Sequence, residues 1–303
     1  MLLHAIFLGL WFDTHASTGD ARKIMNSAKH ITSTFSAAVI TGASSGIGLA
    51  FLKNLALADE SFRIWNVSRT KPEECTSVPC FQHISADLED EQAVKQAFNE
   101  IKKSASFQAL AGPILLINNA GFGVYGRFSE SPLDKTLSMM DLNMRALVQG
   151  TGIMLPVLRE KGGAVVNVAS TASFQPTPYL GAYGATKAFV LNWSLALNEE
   201  LRVEGLHDRV SVNCVCPGPT STAFFKRAGL SEKPPESTDF LSMQSDDVVD
   251  ISFKGILKKR PIIICGLRNL LITWTSRLGP RVFVTRMSEK VLYLWRKRQI
   301  RED

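Results

Sequence analysis

The hydrophobic positions after Thr34 follow two alternating patterns. Short runs rich in Val and Ile, most of them bounded by Gly, Pro, Asn or Ser, predict buried strands. These runs are Ala37–Ile40, Phe62–Val67, Phe81–Ser85, Ile114–Asn118, Ala164–Val168, Val210–Val215 and Pro261–Cys265. Helix-length stretches lie between them, namely Gly46–Ala58, Asp90–Lys103, Leu133–Leu158, Ala182–Glu204 and Asp246–Leu257. This alternation predicts an α/β fold, a doubly wound parallel sheet covered by helices on both faces.

Length and composition agree with one such domain. The chain has 303 residues, 45% of them hydrophobic, which is ample for a core. We divide it into a leader of uncertain role (residues 1–34), one α/β domain (35–265) and a basic helical C-terminal extension (266–303). The five cysteines, an odd number, predict reduced thiols rather than a disulfide framework, and no metal site.

The net charge of +6 is unevenly distributed. The segment Lys259–Asp303 holds 11 Lys/Arg and 3 Asp/Glu, so it carries +8 and leaves −2 for the rest of the chain. A basic tail on a slightly acidic body predicts no nucleic-acid partner. Aromatic residues alternate with Arg and Lys between Gly266 and Arg298, as in basic amphipathic helices. Such a segment can contact an anionic membrane, cap the sheet or join a homo-oligomer interface.

The N-terminal segment Met1–Phe12 is strongly apolar, but at 12 residues it is short for a membrane span. It also lacks the positively charged start of a signal peptide. Two interpretations stay open: a dispensable leader before a start at Met25, or a hydrophobic anchor or uncleaved targeting segment. The protein is expected in the cytoplasm, with membrane association as the alternative.

A glycine-rich turn joins the first predicted strand to the first predicted helix. Its glycines, Gly42, Gly46 and Gly48, have the spacing G-x-x-x-G-x-G. Glycine permits a tight turn and a close approach of the backbone to a pyrophosphate, and a helix N-terminus offers N–H groups to phosphate. The turn therefore predicts a dinucleotide site, to which Ser44, Ser45 and Ile47 also belong.

The end of the second predicted strand indicates which dinucleotide is bound. A carboxylate there would bind the ribose hydroxyls of NAD and repel a 2′-phosphate. This chain instead has Ser68, a small donor, and Arg69, whose guanidinium suits a phosphate. NADP(H) is therefore the favoured cofactor, although Glu73 and Glu74 follow closely.

Three further residues suggest proton transfer. Tyr183 and Lys187 are four residues apart in a predicted helix, so they share one face. A tyrosine with an ordinary pKa of about 10 is a poor base at neutral pH, and an adjacent cation favours its phenolate. Ser170 follows a predicted strand, at the edge of the sheet where α/β proteins bind ligands.

Together these motifs resemble the short-chain dehydrogenases/reductases over about residues 36–264. The resemblance rests on the order and spacing of Thr41–Gly48 (TGASSGIG), Asn118–Gly121 (NNAG), Asn143, Ser170, Tyr183 with Lys187, and Pro217–Thr220 (PGPT). It implies a Rossmann-like sheet and an NADP(H)-dependent oxidoreductase with Asn143, Ser170, Tyr183 and Lys187 as a catalytic tetrad.

The resemblance also implies a role for each of these residues. Tyr183 would protonate the carbonyl oxygen during reduction, and Ser170 would orient and polarise it. Lys187 would hold the nicotinamide ribose and lower the pKa of Tyr183, while Asn143 would support a water that relays protons to Lys187. Further cofactor contacts would be Asp87 at the adenine, Asn119 and Gly121 at the adenosine, and Pro217, Gly218, Thr220 and Thr222 at the nicotinamide.

The segments expected near the substrate are aromatic and aliphatic, with no Arg or Lys to clamp a small carboxylate. They are Phe122–Tyr125, Phe174–Leu180, Ala223–Phe225 and, as a lid, Phe240–Met243. A hydrophobic ketone, aldehyde or alcohol, as in lipid metabolism, fits such a pocket. Two alternatives are a 3-ketoacyl thioester reductase of fatty acid or polyketide synthesis, and a non-catalytic NADP-binding regulatory protein. The intact set of Ser170, Tyr183 and Lys187 argues against the second.

Overall fold

The computed structural model describes residues 18–73, 78–220, 224, 228 and 242–299 of the chain. Seven strands are present in these ranges: β1 (Ala37–Thr41), β2 (Arg63–Ser68), β3 (Phe81–Ser85), β4 (Ile114–Asn118), β5 (Gly163–Val168), β6 (Val210–Cys216) and β7 (Ile262–Ile264). They form one parallel sheet in the order β3-β2-β1-β4-β5-β6-β7. Chain order reverses beside β1, which is the switch point where such sheets bind ligands.

One α-helix of the described ranges precedes the sheet and the others lie between or after its strands. They are α1 (Thr18–Thr34), α2 (Gly46–Ala58), α3 (Glu91–Lys103), α4 (Ala105–Gln108), α5 (Leu133–Met140), α6 (Ala146–Lys161), α7 (Gly181–Val203), α8 (Ser245–Leu257), α9 (Leu267–Leu278) and α10 (Arg281–Gln299). The last two form the C-terminal extension. The predicted doubly wound parallel α/β sheet with a helical extension is confirmed.

Both faces of the sheet are buried, as a parallel sheet requires. In β1 the side chains alternate, since Ala38 and Ile40 belong to one core cluster and Ala37 and Val39 to the other. Phe51 of α2 and Phe253 of α8 pack edge to face in the first cluster, with ring centroids 5.5 Å apart. The two clusters hold the strands rigidly, so the loops at their carboxyl ends have fixed positions.

Helix α1 was not predicted from the sequence pattern. Its residues Ile24, Ala28 and Ile31 are buried, the last two in the same cluster as α2 and α8. Ser27 Oγ donates a hydrogen bond of 2.7 Å to Asp250 Oδ1 of α8. A chain starting at Met25 would therefore lose only part of this packing. Residues 1–17 lie outside the described ranges, so the role of the leader and the domain division stay predictions.

One predicted helix is interrupted. The stretch Leu133–Leu158 forms α5, a single π-helical turn at Asp141–Arg145, and α6. A π turn inserts one extra residue into a helix and often marks a functional site. Here it contains Asn143, which is described with the site below. Among the described residues, no helix is long and apolar enough to span a bilayer.

Candidate active site

The turn after β4 packs against the glycine-rich turn after β1 and hydrogen-bonds to it. Gly42 has φ +70°, and a Cβ atom there would lie 2.8 Å from Ala120 Cα, so only glycine fits. The Asn119 Nδ2 amide donates hydrogen bonds to the carbonyl oxygens of Thr41 (3.1 Å) and Gly42 (3.0 Å). Two neighbouring loops therefore fix the cradle in a single shape.

Helix α2 begins directly in this cradle. Ser45 precedes it with an extended backbone, and the Ser45 hydroxyl makes no capping hydrogen bond in the described structure. The first-turn N–H groups of α2 are consequently left for an anion, which the positive end of the helix dipole attracts. This geometry fits the pyrophosphate of a dinucleotide.

A cavity of about 1340 Å³ extends from this cradle along the carboxyl ends of the strands. Sixteen of the predicted site residues line it: Gly42, Ser44, Ser45, Gly46, Ile47, Ser68, Arg69, Asp87, Asn119, Gly121, Ser170, Tyr183, Lys187, Pro217, Gly218 and Thr220. Gly48 and Asn143 lie behind the lining and pack against residues that form it. Thr222 lies outside the described residues.

Ser170, Tyr183 and Lys187 meet at the centre of this cavity. Tyr183 and Ser170 both line the cavity, and the Ser170 side chain lies close enough to Tyr183 to act on its pKa. The Lys187 ammonium donates a 2.9 Å hydrogen bond to the Val168 carbonyl oxygen and lies 5.8 Å from the centroid of the Tyr183 ring. Tyr183 and Lys187 come from one face of α7, and Ser170 follows β5, as the sequence predicted.

Burial sets the protonation of these groups. It raises the pKa of Tyr183 to about 12, although the Ser170 side chain acts in the opposite direction. It lowers the pKa of Lys187 to about 8. The expectation that Lys187 lowers the pKa of Tyr183 is therefore not met here, because the ammonium lies beside the ring and bonds to Val168. At neutral pH the phenol is protonated.

Asn143 connects the π turn to the lysine. Its Nδ2 atom donates to the Phe122 carbonyl oxygen and to Thr186 Oγ1 (both 3.0 Å), and its Oδ1 atom accepts from the Phe122 amide (3.2 Å). A Cβ atom on Gly121 would lie 2.8 Å from Asn143 Oδ1 and 3.3 Å from Lys187 Nζ. The amide oxygen and the ammonium thus approach the same point, and the missing side chain of Gly121 makes room for both.

The far end of the cavity contains Ser68 and Arg69. The Ser68 hydroxyl accepts from Asn66 Nδ2 and donates to the Thr70 carbonyl oxygen (both 2.9 Å), so its proton is already used inside the protein. Arg69 is exposed, with Nη1 3.4 Å from Glu89 Oε1 and 3.9 Å from Asp87 Oδ2. Arg69 is therefore the group at this end that can turn toward a phosphate.

Sequence reasoning missed the wall that α9 and α10 contribute. Ten residues of these helices line the cavity: Asn269, Ile272, Thr275, Ser276, Phe283, Val284, Met287, Ser288, Val291 and Leu292. Two phenols hold α10 in place, since Tyr125 donates to the Leu292 carbonyl oxygen (2.9 Å) and Tyr179 to Glu289 Oε1 (2.8 Å). The available signal was the recurrence of Phe283, Met287 and Val291 at every fourth position.

Some of the residues predicted near the substrate line the cavity, and others do not. Phe122, Leu180 and Phe224 line the cavity, and the Phe224 ring packs 5.2 Å from that of Tyr183. Phe174 does not line it, because its ring lies under the Arg277 guanidinium on the other side of α9. Residues 223 and 225 and Phe240 lie outside the described residues.

The chain is similar to known proteins of one family. The model of the short chain dehydrogenase family matches residues 36–233. Escherichia coli YbbO, an uncharacterized oxidoreductase, is 29% identical over 262 residues, covering 84% of this chain and 93% of YbbO. A very-long-chain 3-oxoacyl-CoA reductase of Phaeosphaeria nodorum is 30% identical over 222 residues, covering 67% of this chain and 60% of that protein.

A solved structure indicates the same family. The short-chain dehydrogenase from Sphingobium yanoikuyae in complex with NADPH superposes with a TM-score of 0.65 at 30% identity, covering 76% of this chain and 88% of that one. The chain belongs to the short-chain dehydrogenase/reductase family. It is an oxidoreductase of alcohol and carbonyl groups that uses a nicotinamide dinucleotide. This membership removes the alternative of a non-catalytic NADP-binding protein.

The buried ammonium predicts a pH-dependent cost in stability. Lowering the pKa of Lys187 from 10.5 to about 8 costs about 3 kcal/mol at neutral pH. Lys187→Met removes this cost, so we expect the free energy of unfolding at pH 7 to rise. The advantage should shrink between pH 8 and pH 10.5, because there the unfolded wild-type chain binds a proton that the native chain does not.

Urea unfolding at pH 7 and pH 10 measures this effect, with Lys29→Met on the exposed face of α1 as the matched control. A Lys187→Met variant that is less stable than wild type at pH 7, or whose difference does not depend on pH, would contradict the proposed cost of burial.

Proposed function

We propose that this enzyme is an NADP(H)-dependent oxidoreductase that interconverts hydrophobic ketones or aldehydes and their alcohols. Tyr183 is its proton donor and acceptor. The observation that carries the proposal is that Tyr183, Ser170 and Lys187 line one cavity together, with Tyr183 and Lys187 buried. These residues lie between a phosphate cradle on one side and an apolar wall on the other.

The chain positions the reactants and transfers the proton. A bound nicotinamide supplies or accepts the hydride. During reduction Ser170 hydrogen-bonds to the carbonyl oxygen and Tyr183 donates its proton to it. The raised pKa of Tyr183 supports this direction, because a protonated phenol is the form that donates. Lys187 and Asn143, which approach each other at Gly121, are suited to hold the ribose and to return a proton to Tyr183 through a water.

The proposed preference for NADP(H) rests on Arg69. Its guanidinium lies at the adenosine end of the cavity, where a 2′-phosphate would provide a bidentate partner. The similar Sphingobium protein is described with NADPH, which supports the same choice. Asp87 and Glu89 lie close to Arg69. Their negative charges would repel the 2′-phosphate if the guanidinium did not neutralise that phosphate.

The proposed substrate class rests on the apolar half of the cavity. Phe122, Leu180 and Phe224 form one side, and α10 adds Phe283 and Met287 on the other. This lining favours an aliphatic or aromatic group beside the reacting carbon. The cavity volume of about 1340 Å³ accommodates a long substrate together with the dinucleotide.

A 3-oxoacyl thioester reductase is a second candidate. Arg286 and Lys290 are exposed on α10, each one residue before the lining residues Met287 and Val291, so the helix that walls the cavity also carries cations. Such cations would attract the phosphates of coenzyme A or of a carrier protein. The similarity to a very-long-chain 3-oxoacyl-CoA reductase points to the same substrate class.

Removal of the phenol tests the mechanism. Tyr183→Phe should lower kcat by about 10³-fold or more, because no other group is positioned to protonate the carbonyl oxygen. NADPH affinity, measured by cofactor fluorescence, should change little. Tyr293→Phe, which removes an exposed phenol from α10, is the control and should keep full turnover. Substantial turnover by Tyr183→Phe would overturn the proposed mechanism.

Arg69→Ala tests the cofactor preference. We expect the KM for NADPH to rise by about tenfold or more, since a charge-assisted hydrogen bond to the 2′-phosphate is lost. The KM for NADH should stay within about threefold. Arg127→Ala, at an exposed arginine that pairs with Glu130, serves as the control. An equal rise for both cofactors would argue against a 2′-phosphate contact.

Met287→Trp tests the substrate wall. It narrows the cavity between α10 and Tyr183, so kcat/KM for long-chain ketones should fall about tenfold or more while short ketones react as before. Val282→Trp, on an exposed face of α10 outside the cavity, is the control.

The same assay with 3-oxoacyl thioesters and free ketones of equal chain length separates the two candidates. A thioester rate exceeding the ketone rate by about tenfold would favour the second.

A further inference from the structure

Helix α9 exposes a continuous apolar stripe. Leu267, Leu271, Trp274 and Leu278 are each 60% to 81% exposed. Their spacing of four, three and four residues places them within about 60° of the helix circumference. Single exposed apolar residues are ordinary on a protein surface, but four aligned ones form a contact surface. We call these four residues the α9 stripe.

A basic cleft adjoins the stripe. It has a volume of about 520 Å³ and lies between α9, the end of α8 and the edge strand β7. Its cations are Lys254, Lys258, Arg260 and Arg277, and its apolar residues include Ile251, Ile263 and Leu270. Lys254 also pairs with Asp250 of its own helix, but no Asp or Glu belongs to the described lining of the cleft.

Trp274 belongs to both surfaces, so the stripe and the cleft are continuous. A tryptophan at the boundary between apolar residues and cations is typical of proteins that lie at the interface of a bilayer. Arg281 and Arg286 of α10 are exposed as well. The surface therefore combines an apolar stripe with an adjoining group of cations.

A third face of α9 lines the active-site cavity through Asn269, Ile272 and Ser276. The same helix thus separates the cavity from the exposed stripe. On α10 the partly exposed residues Phe283 and Met287 line the cavity as well. An apolar surface and the apolar half of the cavity consequently share one thin wall.

We propose that the α9 stripe and the basic cleft dock on an anionic lipid bilayer. The stripe lies in the interfacial region with α9 parallel to the membrane plane, and the cleft receives a lipid phosphate headgroup. Charge complementarity favours this partner over a second copy of the chain, since four cations in one cleft would repel the same four of a copy. The inference does not depend on which carbonyl compound the enzyme reduces.

Vesicle co-sedimentation of the full chain tests the proposal. We expect binding to vesicles of equal phosphatidylglycerol and phosphatidylcholine, and little binding to phosphatidylcholine alone. Leu271→Asp should lower partitioning about tenfold or more, because it places a charge in the centre of the apolar stripe. Val203→Asp, at a valine of α7 that is 73% exposed, is the matched control and should bind as wild type does.

The cleft is tested separately. Lys258→Gln and Arg260→Gln should each lower partitioning about fivefold, since each cation contributes about 1 kcal/mol at an anionic surface. Lys95→Gln, an exposed lysine of α3, should change it little. Vesicles should also shift the tryptophan emission to shorter wavelength, and Trp274→Phe should remove most of that shift. Retained NADPH binding shows that each variant is folded.

Three results would overturn the proposal. The first is a wild-type chain that binds neither vesicle type. The second is partitioning that Leu271→Asp leaves unchanged, because another segment then makes the contact. The third is a chain that forms a dimer in light scattering and loses it in Leu271→Asp, since the stripe would then be an interface between copies.

Discussion

The hydrogen bond from the Lys187 ammonium to the Val168 carbonyl oxygen is the constraint around which the site is built. It joins α7 to the end of β5 and keeps a charge inside the core. A buried charge requires close polar partners and tight packing around them. Its surroundings include the bare backbone of Gly121, beside which Asn143 also lies, and the Tyr183 ring one helical turn earlier. Removing any of these neighbours leaves the ammonium less well accommodated.

The parallel sheet makes this arrangement possible. Its central strands end at one edge, so residues far apart in sequence meet there within a few ångströms. Asn119 reaches from the end of β4 to the carbonyl oxygens of Thr41 and Gly42, and Ser170 reaches from the end of β5 to Tyr183. The two buried faces fix the strands, so the loops at their carboxyl ends have defined positions. Preorganisation of this kind is what hydride transfer requires of its protein.

Local signals in the sequence were enough for the fold and for most of the site. Most strands are short runs rich in Val and Ile, the glycine turn joins two neighbouring elements, and the Tyr183–Lys187 pair lies within one helix. What could not be predicted depends on contacts between distant segments. The π turn at Asn143 forms around the backbone of Phe122, and the direction of the Tyr183 pKa depends on burial by several loops. The position of α10 depends on Tyr125 and Tyr179, more than 100 residues upstream.

The attachment of α10 by two phenols has a consequence for how this enzyme diversifies. The residues proposed for proton transfer lie in the segment that the family model matches, residues 36–233, whereas α10 begins at Arg281. The apolar half of the cavity draws on both parts of the chain, since Phe122, Leu180 and Phe224 belong to the family segment and Phe283 and Met287 to α10. A change in α10 reshapes one side of the cavity, while the residues proposed for proton transfer are held by other elements. Helix α10 covers the cavity, so a change in this helix alters which substrates fit without altering the groups that react.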